Sequence, residues 1–294
     1  MSALGPWTSL PDARGTAPAV AGPVTALAGR HELTAWCGER VTARAASETP
    51  VPGRARLVGA GPDCDGAVHW GPWVVDLRAG IAERLDALAA ADDEPFVPVA
   101  AGRARGGPAA VAYAWSPDGE TVAVSRRHAD VAEVVLREPS GRAIGTVWTG
   151  TGPAPDAVWV GRDVTVVGDR RPVVLAPGGT TLARLDASTP PVRIEADGDE
   201  TKLLMVEHGR LSVWDMSGWK PVATAGGSWL DGAIGPAGTA VAALDFTGRL
   251  HLLDGGLRPL EIVAAPTGAG GVALGADRVV VCGAEGAASA TLAH

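Results

Sequence analysis

A strand–turn–strand unit recurs along this chain at a spacing that few folds accommodate. It is clearest at Ala114–Val124, which reads Ala-Trp-Ser-Pro-Asp-Gly-Glu-Thr-Val-Ala-Val. A strand ends in a large apolar side chain, a turn follows at Ser116-Pro117-Asp118-Gly119, and alternation resumes through Thr121–Ser125. Proline presets φ, aspartate hydrogen-bonds locally and glycine tolerates positive φ, so the turn has a physical basis. Related units sit at 157–167, 194–200, 234–239 and 274–278, and more loosely at 27–31 and 70–73. The apolar anchors at 27, 70, 115, 159, 194, 234 and 274 are spaced by 43, 45, 44, 35, 40 and 40 residues. A period near 40 with strand-type alternation implies one four-stranded blade per repeat.

The expectation is therefore an all-β, seven-bladed propeller forming a single domain over 1–294. Its blades should lie roughly at 24–58, 66–100, 110–148, 155–186, 192–225, 231–263 and 269–294, the last completed by 4–10. After Leu274 only two more strands fit, while Leu4–Leu10, centred on Trp7, is unassigned. A ring must pair or cover every edge, so the N-terminal segment should supply the missing outer strand. The front half admits a second register. Trp73–Gly80 and Glu83-Arg84-Leu85 would then be strands c and d, Ala55–Gly59 strand a and Gly66–Trp70 strand b. Ile81, Leu85 and Leu88 also fit a short helical face, before an acidic loop through Asp92-Asp93-Glu94-Pro95.

These units resemble the strand a–strand b junction of divergent bacterial WD40 and TolB-like (YVTN-type) β-propellers. Val213-Trp214-Asp215 carries the WD40 ending of strand c, and Leu253-Asp254 is a remnant. The Gly-His opening is missing from every blade, so the hydrogen-bond network of WD40 proteins is not carried over. The resemblance implies a binding platform and leaves chemistry open.

Composition narrows the function. A net charge of −8 argues against nucleic acid. Asn and Gln are absent, which removes N-glycosylation acceptors and side-chain amides that read bases or sugars. The three cysteines, Cys37, Cys64 and Cys282, form no paired spacing, so a reducing compartment without disulfides is expected. No stretch reaches the roughly 20 apolar residues of a spanning helix, and no secretory leader is read at Met1–Trp7. The expected chain is a soluble, cytoplasmic monomer that does not engage a membrane.

No catalytic, metal or cofactor site is assigned. Gly-x-Ser-x-Gly is missing, and Ser116 and Ser228 read as turn residues. The six histidines are scattered without metal-ligand spacing. Asp63-Cys64-Asp65-Gly66 with His69 is the densest ligand-like cluster, and reads as a polar loop. Trp115, Trp159 and Trp70 recur at one blade position and should fill the wedge between blades.

The first functional reading is a non-enzymatic scaffold or sensor for an unidentified protein partner. Its alternatives are a hydrolase or lactonase with a channel-centred metal, to which Asp156 and Asp231 could contribute, and a small-ligand or glycan binder. A partner would meet the face of the d–a and b–c loops near blades five and six. Trp229 and Asp231 fall there in Gly226–Gly232, Phe246 in Asp245–Arg249, and His208 with Arg210 in Glu207–Arg210. The plainer reading folds both aromatic rings inward over the blade tops. The alternative presents them as a binding patch.

Overall fold

The computed structural model describes residues 4–10, 13, 17–48, 50–52, 54–61, 63–85, 88, 109–128, 130–283 and 286–292. These residues form seven four-stranded antiparallel sheets, in strand order a-b-c-d, arranged as the blades of a propeller. Six sheets are continuous in sequence, at 17–46, 56–84, 109–151, 158–184, 193–226 and 229–264. The seventh takes Ala269–Leu274, Arg278–Gly283 and Gly286–Thr291 from the C-terminus and Thr8–Ser9 from the N-terminus.

Ring closure has a defined register. Thr8 pairs with Ser289 and Ser9 with Ala288, and an isolated bridge joins Leu4 to Leu292. Gly5 N donates to Thr291 O at 2.8 Å and Leu10 N to Ala287 O at 2.9 Å. The closing segment pairs an edge that would otherwise be free, and it buries apolar surface at both ends. Leu4 joins the core between blades six and seven, and Leu10 the core between blades seven and one. Trp7 is only half-buried, against the blade six–seven core.

The second register of the front half is the one adopted. Arg56–Val58 is strand a of blade two, Ala67–Trp70 strand b, Trp73–Asp76 strand c and Ile81–Arg84 strand d. Blade one accordingly begins at Ala17 and ends at Ala46, and residues 56–58 belong to its neighbour. Trp70 thus closes a strand b, whereas Trp115 and Trp159 lie on strands a. Ile81 is on a strand with its side chain exposed. The acidic run at 92–94 lies outside the described residues.

Burial follows strand order. Strands b and c are sandwiched between adjacent blades and their side chains are mostly enclosed on both faces. Outer strands d alternate or face solvent, and Ile81, Ile144, Leu182, Val222, Leu260 and Ile262 all project from them. Trp115 fills a wedge between blades: it is 2% exposed, and its Nε1 donates to Gly71 O of blade two at 3.0 Å.

The turn after Trp115 is built as its residues dictate. Gly119 adopts φ +75° and its N–H donates to Ser116 O at 3.0 Å. Thr121 N donates to Ser116 Oγ at 2.9 Å, and Glu120 N to Asp118 Oδ1 at 3.0 Å. Hydrogen bonds from Ser116 and Glu120, against a smaller opposing effect of burial, hold the Asp118 carboxyl below the usual carboxylate range.

One expectation about cysteine is corrected. Cys37, ending strand c of blade one, and Cys64, in the a–b turn of blade two, form a disulfide with Cα atoms 5.8 Å apart. Their separation in the sequence hides the pairing, because adjacent blades bring those two turns together. Cys282 remains a buried free thiol, and burial pushes its pKa up to about 12.

Candidate interaction face and central channel

In an a-b-c-d blade the d–a and b–c connections emerge on one face, here called the upper face. At blades five and six its geometry is set by two carboxylates at the ends of strands b. Glu207, with a fully buried side chain, accepts from Ser188 N at 2.6 Å, Ser188 Oγ at 2.7 Å, Thr189 N at 2.9 Å and Arg210 Nε at 2.8 Å. Burial alone would raise its pKa, but these four donors outweigh it and hold Glu207 below the usual range. The loop entering blade five is thereby clamped to its b–c hairpin. Asp245 does the same within blade six. It accepts from Thr247 N and Oγ1 at 2.8 and 2.6 Å and from Arg249 N at 3.0 Å, and His251 Nε2 lies 2.8 Å away. Burial opposes ionisation there too, yet Thr247 and His251 keep the carboxyl ionised far into acid.

Phe246 stands on the turn that Asp245 braces. Its ring is 56% exposed and lies 5.3 Å from the exposed His208 ring, which comes from the neighbouring hairpin. Arg210 is half-buried beside them and already engaged. Its Nη1 donates to Asp186 Oδ2 at 2.9 Å and its Nη2 to Asp186 O at 2.5 Å.

Trp229 and Asp231 do not join that surface. Strand a of blade six starts at Trp229, and a bulge between 229 and 231 turns the indole inward. Trp229 is 5% exposed, sits edge-on to His251 with centroids 5.0 Å apart, and packs in the core between blades five and six. Gly227 leaves room for the ring, since a Cβ there would stand 2.4 Å from the indole. The Gly226-Gly227 pair before a tryptophan was the available signal. It marks a backbone approached closely by a large side chain, and not only a flexible loop.

Asp231 faces the central channel, where the strands a converge. It accepts from Arg54 Nη2 at 2.8 Å, from Arg193 Nη1 at 3.1 Å and from Val272 N at 2.9 Å. Arg193 also donates to Val272 O at 2.6 Å and pairs with Glu195 Oε2 at 2.9 Å. Blades two, five, six and seven are thus tied together across the channel. Burial disfavours the charge on Asp231, but Arg54 and Arg193 outweigh it and hold the carboxyl below its ordinary range. Arg193 is desolvated as well, yet Glu195 and Asp231 raise its pKa; Arg54 is lowered by burial and by repulsion from Arg193.

Sequence reading missed Arg54, Arg193 and Glu195. The one hint was Arg193-Ile194-Glu195, polar residues alternating with an apolar one on a strand that should face inward. Asp156 also lines the channel, and burial raises its pKa. Asp231, the other carboxylate considered for a channel-centred metal, is committed to two guanidinium groups and a backbone N–H. Among the described residues no three His, Cys, Asp or Glu side chains gather where they could hold a metal ion. His69 packs edge-on against Trp115, centroids 4.4 Å apart, away from a shared cluster with Asp63 and Asp65; Asp65 instead accepts from Gly61 N at 3.1 Å. No helix among the described residues is long and apolar enough to cross a membrane.

No family model matches the chain, and no curated protein sequence matches it. Solved structures do. A chain in the crystal structure of a mitotic checkpoint complex superposes with a TM-score of 0.68 at 11% identity, over 99% of this chain and 94% of that one. The β-propeller domain of Cps50 (Swd1) from Myceliophteria thermophila gives 0.69 at 12% identity, over 98% of each chain. At such identity the likeness concerns architecture, and the architecture is a seven-bladed β-propeller.

Proposed function

We propose that this chain is a non-enzymatic interaction module, a divergent bacterial WD40/TolB-like propeller that acts as a monomer and meets a protein partner on its upper face at blades five and six. The observation that carries the reading is Phe246. A phenylalanine ring, 56% exposed, is held outward by a turn whose aspartate makes four hydrogen bonds. Ordering a large apolar group in water has no folding benefit, whereas a rigid aromatic anchor loses little entropy on binding. His208 widens the patch and Arg210 borders it, while Trp229 serves from beneath by packing under the b–c turn. The two structural neighbours support this class of role only in that one is a chain of a complex. The Cys37–Cys64 bond removes the cysteine argument for a reducing compartment.

The experiment is site-specific photo-crosslinking in the native host, with a photoreactive phenylalanine analogue at position 246 and at Ser217 on the opposite face. A defined adduct from position 246 alone, suppressed by excess wild-type protein and far less by Phe246→Ala protein, supports the reading. Equal adducts from both positions, or none from 246, place the partner elsewhere.

A further inference from the structure

We propose that the central channel is a binding site for a small oxyanion, a carboxylate or phosphate of a few heavy atoms, held by the guanidinium groups of Arg54 and Arg56. The site is independent of the partner surface on the upper face.

Its donors outnumber its acceptors. Arg54, Arg56, Asp156, Arg193 and Glu195 line a half-open space of about 260 Å3, with Asp231 paired to two of the arginines at its edge. Arg193 is satisfied by Asp231, Glu195 and Val272 O. Arg54 is satisfied at Nη2 only; Nη1 is enclosed and has no hydrogen-bond partner among the described residues. Arg56 makes no hydrogen bond or ion pair among the described residues, and Glu195, Glu200 and Asp118 act on it only at longer range. An enclosed donor left unsatisfied costs roughly 1–3 kcal/mol, more when charged, so the orphaned Arg54 Nη1 beside the unpaired, half-buried Arg56 points to an acceptor from outside.

The chemistry of that acceptor follows from the walls. Arginine presents a planar fork of donors that matches the paired oxygens of a carboxylate or phosphate. Three arginines face two carboxylates, Glu195 and Asp231. Asp156 stands on the same lining, and burial there works against its charge. Arg54 and Arg193 share Asp231 and Glu195, and Arg56 is left without a paired carboxylate among the described residues, which suits a guest of one negative charge. The space falls just short of the roughly 300 Å3 at which pockets for drug-sized ligands begin, which limits the guest to a few atoms.

The test uses the full chain, titrated calorimetrically with inorganic phosphate, formate and acetate at constant ionic strength, with chloride as the control. Saturable binding of at least one oxyanion and none of chloride is expected, and whether phosphate or a carboxylate binds distinguishes the two sources. Arg56→Met should weaken that binding by about tenfold or more, the worth of one charge-assisted pair, while Arg142→Met, a change far from the channel, should not. If Arg56→Met does not fold, Arg56→Lys replaces it, and loss of the planar fork should still weaken binding severalfold. No saturable binding of any oxyanion, or affinity unchanged in the Arg56 variant, overturns the proposal.

Discussion

Arg54 and Asp231 stand 177 positions apart in the chain, yet Arg54 Nη2 donates to Asp231 Oδ1 at 2.8 Å. They come from blades two and six, so the pair crosses the channel instead of joining neighbours. Contact between adjacent blades is made mainly by apolar clusters, which resist separation of one blade from the next. A transverse ion pair adds something those clusters lack: it fixes the ring's diameter by direct contact across the hole. Arg193 and Val272 complete the attachment by holding the second carboxylate oxygen.

Removing Asp231 should therefore be costly. Its side chain is 2% exposed, and Asp231→Ala leaves the 6%-exposed Arg193 with one carboxylate instead of two. Breaking a buried pair from one side costs about 3–5 kcal/mol. Asp231→Asn keeps an acceptor for Val272 N and loses the charge, so it should cost less than the alanine variant. Urea denaturation of both variants checks the order; equal stability of Asp231→Ala and wild type would show that the network contributes nothing.

The N-terminal closure predicts a second loss. Leu4 and Leu10 are 9% and 7% exposed, and each is worth about 1.5–3 kcal/mol of burial. Leu10→Ala should lower stability by about 2–4 kcal/mol, as core truncations do. Deletion of residues 1–10 should lower it further, by unpairing the edge of Gly286–Thr291 as well. Thermal unfolding measured at one protein concentration decides it, and an unshifted midpoint would mean that the ring does not depend on this strand.

The blade count and the closing strand were legible in the sequence because both rest on periodicity and on strand arithmetic, which are local. Trp115 as a wedge was legible for the same reason. The channel was not. Arg54 and Asp231 carry no motif, and only the angular position of blades two and six in a closed ring makes them neighbours. Trp229 and Phe246 look alike in sequence, each an aromatic beside turn residues. What separates them is a bulge that starts the strand at Trp229 and a braced turn that ends the preceding strand before Phe246. The Cys37–Cys64 bond was hidden because the two turns belong to different repeats.

That bond gives a third prediction. It spans a sequence separation of 27 residues, for which chain-entropy arguments give about 3–4 kcal/mol. Thiol titration of the denatured, unreduced protein should find one reactive cysteine, Cys282, and three after reduction. Cys64→Ser should lower stability by up to that amount, and reductant should then have no further effect. Three titratable thiols without reduction would show that the pair does not form in the purified protein.

His69 should make stability depend on pH in a window away from the carboxylates. Its side chain is 8% exposed and packs edge-on against Trp115, and Nδ1 is enclosed without a hydrogen-bond partner among the described residues. Burial, with a smaller contribution from Arg56, pushes its pKa down to about 4. In the unfolded chain the value is about 6.5, so between these limits the unfolded state binds a proton that the folded state refuses. Stability from this group is complete above pH of about 6.5 and is lost progressively as pH falls to about 4; below that the loss has run its course. The whole span corresponds to roughly 3 kcal/mol at 1.36 kcal/mol per pH unit. His69→Phe should flatten the stability profile across this window, whatever it does to absolute stability. Arg56→Met should move the acid limb only slightly to higher pH, because the larger cause, burial, remains. Denaturation midpoints from pH 4 to pH 7 for the three proteins give the answer, and a His69→Phe profile as steep as wild type would assign the slope to other groups.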